Sequence, residues 1–188
     1  GSEMCIRDRS ISIECQSTNE TLKLLDDDKI DIGLIGKPTS LKTFNFYYLD
    51  NIEDIFVTTK DYLRNLSARG VKKSEILQNS TLMLLDKGNM TRKYIDDYLQ
   101  ENQIHVKDSI DISNMDLLID FAKIGVGVAC VIKSIVSKEL ADGTLIEIPL
   151  GIPIHKREVG FAYKESSKLS TSCLLYTSPS PRDAHESR

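Results

Sequence analysis

Asn114-Met115-Asp116-Leu117-Leu118-Ile119-Asp120-Phe121-Ala122-Lys123-Ile124-Gly125-Val126-Gly127-Val128-Ala129-Cys130-Val131 reads as a helix over residues 114–123 running into an almost uniformly apolar strand over 126–131. Gly125 and Gly127 follow the helix and open the strand. That is the reverse of the order a phosphate-binding glycine loop requires, so close packing of helix on strand explains them better than a dinucleotide site.

The same alternation extends in both directions from this stretch. Downstream, residues 134–140 are helix-prone and close on Ala141-Asp142-Gly143, a helix-end signal, before strand candidates at 145–149 and 158–163. Upstream, Leu82-Met83-Leu84-Leu85 reads as a strand, 86–89 as a turn, 90 to about 100 as a helix and 104–112 as a strand. Nearer the start, Ile11, Ile13 and Cys15 alternate with polar residues as in a short strand. Thr18-Asn19-Glu20-Thr21 offers capping residues for a helix ending near Asp28. Ile30-Asp31-Ile32-Gly33-Leu34-Ile35-Gly36 reads as a strand buried on both faces, which implies a parallel sheet covered by helices. Strands at 44–49 and 52–58 and a helix over 60–69 complete the series. Alternating strands and helices in two similar stretches define an α/β chain with two lobes, whose ligand cleft is expected where helix N-termini face the carboxyl ends of strands.

Composition narrows the function. A chain of 188 residues, 40% hydrophobic and 28% charged, suits one globular unit with a sizeable core, and no apolar run reaches the roughly 20 residues of a membrane span. The formal net charge of −4 argues against direct contact with nucleic acid. Cys5, Cys15, Cys130 and Cys173 form no CxxC pair and read as reduced cytoplasmic thiols. Residues 1–9 and 173–188, including Ser178-Pro179-Ser180-Pro181-Arg182-Asp183, resemble translated sequencing adaptor. With no hydrophobic period to offset ordering, the tail is expected to be disordered, and both ends are set aside from the fold.

Three segments resemble the effector-binding domain of LysR-type bacterial transcription regulators. They are residues 13–34, with the Leu24-Leu25 linker leading to Asp31-Ile32-Gly33-Leu34; residues 114–129, the most specific; and residues 138–148, followed by a closing strand over 157–164. Together they span most of residues 10–172. The resemblance implies a periplasmic-binding-protein-like (type 2) fold: lobe one over about 10–58 and 152–172, lobe two over about 59–151, and crossovers near Thr58 and Gly151. It implies that the helix-turn-helix lies upstream of this chain, that DNA is reached only through it, and that the full-length protein is a homo-oligomer. It further implies that the family's first strand and helix of lobe one are missing, leaving that lobe incomplete, prone to aggregation and less ordered than residues 80–149.

Carried over residue by residue, the resemblance puts a small anionic metabolite beside Gln16, Ser17 and Thr18; Gly36 and Lys37; Asn89, Met90 and Thr91; and Ser113 with Asn114. Hydroxyls, amides and free N–H groups there suit an anion, and they equally suit a helix cap. No cofactor is implied. A solute-binding protein or an enzyme on the same two-lobed fold is the alternative, but catalytic chemistry finds little support. His105, His155 and His185 accompany no Gly-x-Ser-x-Gly elbow, and Asp26-Asp27-Asp28, the acidic run, falls at a helix C-terminus as a solvated turn would. Cys130 reads as core, and Cys15 as a possible redox or ligand contact.

Overall fold

The computed structural model describes residues 12–13, 16–38 and 43–164. Ile11, Glu14 and Cys15 of the first expected strand lie outside these residues, as do both adaptor-like ends. Ser12 and Ile13 belong to no strand, and Ile13 is exposed.

The described chain forms two sheets. The larger contains β3 (Asp54–Thr58), β4 (Thr81–Leu85), β5 (Asp108–Ile112), β6 (Val128–Ile132) and β7 (Ile146–Glu147), in the order β5-β4-β6-β3-β7. β4 runs parallel to β5 and β6, while β3 is antiparallel to β6 and β7. Alternation sorts its side chains onto two faces. Phe56, Leu82, Leu84, Val128 and Cys130 pack against α2 (Lys60–Ala68), α3 (Ile76–Asn79) and α4 (Met90–Glu101). Ile55, Val57, Met83, Leu85, Ala129 and Val131 pack against α5 (Met115–Lys123). Because both faces are covered, these strands read as unbroken apolar runs. A further helix, α6 (Ser137–Asp142), precedes β7, and the helix expected over 134–140 starts later because residues 133–136 form a turn.

Gly125 and Gly127 take the packing role expected of them. Gly125 ends α5 at φ +77°, where a side chain is strained. A Cβ on Gly127 would lie 2.2 Å from the Thr81 carbonyl oxygen. Only glycine lets β6 approach β4 this closely.

The smaller sheet holds β1 (Gly33–Gly36), β8 (Arg157–Lys164) and β2 (Phe44–Ile52), in the order β1-β8-β2 and antiparallel throughout. α1 (Thr18–Asp26) packs on it around Leu25, Ile35 and Ala162. This corrects the expectation for residues 30–36. The strand is shorter and antiparallel, and it is buried on one face, with Gly33 and Ile35 inward while Leu34 is 60% exposed. Alternate inward positions, not a doubly covered strand, explain its apolar residues.

Three other boundaries move. Residues 52–58 are not one strand of the smaller sheet: Asp54–Thr58 is hydrogen-bonded within the larger sheet, so the chain crosses at Glu53 and not near Thr58. The strand expected over 104–112 starts at Asp108, because the Ile104 N–H is still closing α4 on the Leu99 carbonyl at 2.8 Å. β7 is two residues long: Ile148 still donates to the Phe56 carbonyl, but Pro149 has no N–H to carry the pairing further.

Candidate functional site

The parallel strands β4 and β5 end level with each other, Leu85 beside Ile112, and β3 begins at the same edge, Asp54 beside Ile132. Each parallel strand then hands the chain to a helix. After β4 the turn 86–89 leads to Asn89, whose side chain accepts from the Thr91 N–H at 2.8 Å and caps α4. After β5, Ser113 precedes Asn114, which caps α5 through the Leu117 N–H at 2.9 Å. The two turns are tied together where Asp86 donates to the Ile112 carbonyl at 3.0 Å. Two helix N-termini, with their unpaired N–H groups and positive dipole ends, thus open at one edge of the larger sheet.

The smaller sheet supplies the facing wall. Ser17 caps α1 by accepting from Glu20, with Thr18 as the first helical residue. The Asn19 side-chain amide donates to the Gly88 carbonyl at 3.4 Å, setting the first turn of α1 against the turn that precedes Asn89. Gln16, Ser17 and Thr18 are therefore brought towards Asn89, Met90 and Thr91. Gly36 and Lys37 leave β1 beside the junction of the sheets: a Cβ on Gly36 would lie 3.4 Å from the Arg157 guanidinium, and the Lys37 N–H donates to the Glu158 carbonyl at 2.8 Å. Ser113 and Asn114 share the edge of the larger sheet but make no described contact with the smaller one.

The charge network at this junction was missed on sequence. Arg157, at the start of β8, donates from Nε to Asp54 Oδ2 at 2.6 Å and from Nη2 to Asp54 Oδ1 at 2.9 Å; the Asp54 side chain is fully buried. Glu53 binds Lys133 and Lys156, each at 3.4 Å, and Lys133 reaches Glu147 at 3.0 Å. The Lys37 ammonium is paired with Glu158 and lies over the Phe46 ring. The cue lay in two dipeptides of opposite sign at the two crossovers, Glu53-Asp54 and Lys156-Arg157. Since these cations already have carboxylate partners, an anion entering the cleft would meet mainly backbone N–H groups and neutral donors.

α4 is anchored firmly near its N-terminus. Arg92, 6% exposed, binds Asp96 at 2.8 Å, Asp111 at 2.6 Å and the Leu85 carbonyl at 2.8 Å. A hollow of about 380 Å³ runs along α4 from Arg92 and Asp96 to Leu99, Ile104 and His105. His155 meets α4 only through its carbonyl, on Tyr94. Burial, with Asp54 adding to it, pushes the Cys130 thiol well above its ordinary value, which keeps it protonated and unreactive. Among the described residues no group of His, Cys, Asp and Glu could hold a metal, and the Asp26–Asp28 turn is bound by Lys164. Among the described residues no helix is long and apolar enough to cross a membrane.

Two sheets flanked by helices, crossed twice by the chain and facing each other across helix N-termini, define a two-lobed, type 2 periplasmic-binding-protein-like domain. Residues 7–173 match the LysR substrate binding domain family, and the chain belongs to it. It is 22% identical over 163 residues to the uncharacterized HTH-type transcriptional regulator YeiE of Escherichia coli K12, covering 86% of this chain. The chain spans about half (54%) of that relative's length. Among solved structures it resembles the CcmR regulatory domain of Synechocystis PCC6803 in complex with 2-PG, with TM-score 0.73, 14% identity and coverage of 89% and 79% of the two chains. It also resembles the apo regulatory domain of HypT from Salmonella typhimurium (0.71, 15%, 93% and 82%) and the effector binding domain of QuiR in complex with shikimate (0.69, 15%, 86% and 75%).

Proposed function

We propose that this chain binds a small anionic metabolite between its two sheets, without transforming it, and that binding alters the arrangement of a DNA-bound regulator. The observation that carries this reading is the approach of α1 to the 86–89 turn through Asn19 and Gly88. It sets two capped helix N-termini from different sheets around one cleft, an arrangement suited to an anion. The proposed contacts are Gln16, Ser17, Thr18, Gly36, Lys37, Asn89, Met90, Thr91, Ser113 and Asn114. The CcmR and QuiR domains, solved with 2-PG and shikimate, support a ligand of metabolite size. In the whole protein, DNA contact would fall to a separate basic domain, since this chain carries net charge −4. The regulator would work as a cytoplasmic homo-oligomer.

Thermal unfolding across a panel of small carboxylates and phosphates tests the reading. A true ligand raises the melting temperature progressively with its concentration. Thr18→Val and Thr91→Val should each weaken binding by about 1–3 kcal/mol, the effect of leaving a buried anion one donor short. Unchanged affinity in both variants would remove these two residues from the site.

A further inference from the structure

The return crossover, residues 148–156, is fastened to the larger half along most of its length. The Ile148 N–H donates to the Phe56 carbonyl at 2.8 Å, and Ile154 is buried in the α4-side core. Two tyrosines one turn apart on α4 secure the rest: Tyr98 donates its hydroxyl to the Ile152 carbonyl at 2.6 Å, and Tyr94 to the His155 carbonyl at 2.7 Å. The outgoing crossover is the single residue Glu53, whose carbonyl accepts from the Lys133 N–H at 2.9 Å. The backbone linking the halves is thus left to turn at 52–53 and 156–157.

Arg157 sits at that level. Its planar fork meets both oxygens of Asp54, joining the first residue of β8 in the smaller sheet to the first residue of β3 in the larger. Two parallel bonds on a buried carboxylate fix orientation as well as distance. The guanidinium also lies 5.4 Å from the centre of the Tyr94 ring, so the helix that straps the crossover braces the pair as well.

We propose that the halves bend at residues 52–53 and 156–157, and that the Arg157–Asp54 pair, braced by Tyr94, restrains this bending. Arg157 and Tyr94 are then positioning residues for closure of the cleft; this last step rests on the ligand-binding reading, whereas the restraint itself does not. Hydrogen exchange on the full chain without ligand provides the test. Arg157→Lys keeps the charge and loses the fork, and it should speed exchange of amides 52–54 and 156–158 at least tenfold, leaving 82–85 and 128–131 unchanged. Tyr94→Phe keeps the ring and loses the strap, and it should raise exchange about threefold, confined to 154–157. An equal rise in the 82–85 and 128–131 amides would make the pair a general stability element and overturn the proposal. No change at the junction would overturn it too. If Arg157→Lys unfolds the smaller sheet, Tyr94→Leu, which removes the ring beside the guanidinium, decides: faster exchange at 52–54 and 156–158 with 82–85 and 128–131 unchanged supports the restraint, and its absence refutes it. Because no ligand is present, these outcomes are independent of whether an anion binds.

Discussion

The two sheets differ in how they are held. In the larger, β6 is hydrogen-bonded on both sides, and two clusters of thirteen and twelve buried residues cover its faces. In the smaller, β1 pairs with β8 alone among the described strands, and among the described residues the cluster beneath it has three buried members, Leu25, Ile35 and Ala162. At about 1.5–3 kcal/mol for each large apolar side chain buried, the larger half is the scaffold and the smaller half the adjustable partner. α1, Gly36 and Lys37 therefore ride on the weaker half, while Asn89, Thr91 and Asn114 stand on the stronger. Closure on a ligand, as proposed above, would then be expected to move the less stable wall.

The largest effect that could break this comparison comes from the cores. Phe56→Ala, at a fully buried position on β3, should lower unfolding stability by about 3–5 kcal/mol in urea titrations. Ile35→Ala, on β1, should fall near the lower end of the range for such truncations, about 2 kcal/mol, because its surroundings are thinner and relax more readily. Equal losses would mean the two cores are equally consolidated.

Backbone exchange sharpens the same contrast without mutation. Amides of Gly33–Gly36 should exchange far faster than those of Val128–Ile132, on the order of a hundredfold, since β1 pairs on one side among the described strands and covers a small cluster, while β6 is paired on both sides and opens with the whole domain. Equal protection would show the smaller sheet to be as cooperative as the larger.

This asymmetry also explains what could be read from the sequence. The family, the α/β class and the helices led by Asn89 and Asn114 were legible, because continuous apolar runs and cap residues are local signals; for α1 the helix was legible, but its cap is Ser17, one residue before the expected Thr18–Thr21. The partner of residues 33–36 was not. A short run of small and aliphatic residues reads alike whether one face is covered or two, and its antiparallel neighbour β8 lies more than 120 residues away. Asp54–Thr58 was misplaced for a similar reason: β2 and β3 adjoin through Glu53, and nothing local tells which sheet each will join. Candidate contacts at helix caps could be named from residue type, whereas the Arg157–Asp54 pair could not, because it depends on two junctions 103 residues apart meeting in space.

The smallest effect concerns the charges where the two halves join. Burial is the largest single influence on Glu53 and works upward, yet the hydrogen bonds and charges of Lys133 and Lys156 outweigh it and hold the carboxyl below its ordinary 4.5. A carboxyl whose folded value is depressed contributes stability that is present above the unfolded value and is lost as pH falls through the folded one. Lys133 behaves oppositely. The hydrogen bond to Glu147 leads in raising it above 10.5, so its contribution is complete below that value and disappears as pH rises through the higher folded one. The junction network is accordingly intact between about pH 4.5 and 10.5. Both side chains are more than a third exposed, at 35% for Glu53 and 42% for Lys133, so solvent screens them and their effect is small. Glu53→Gln should lower the urea midpoint slightly at pH 7, in line with about 0.2–1 kcal/mol for exposed pairs. The difference from wild type should shrink as pH falls below 4.5 and through the lowered folded value, where the native carboxyl becomes protonated, and should diminish at pH 7 in about 1 M salt, where the Debye length is about 3 Å. A deficit that persisted unchanged at low pH would show that Glu53 acts through packing and not through charge. The junction would then be held by the Arg157–Asp54 pair without help from its neighbours.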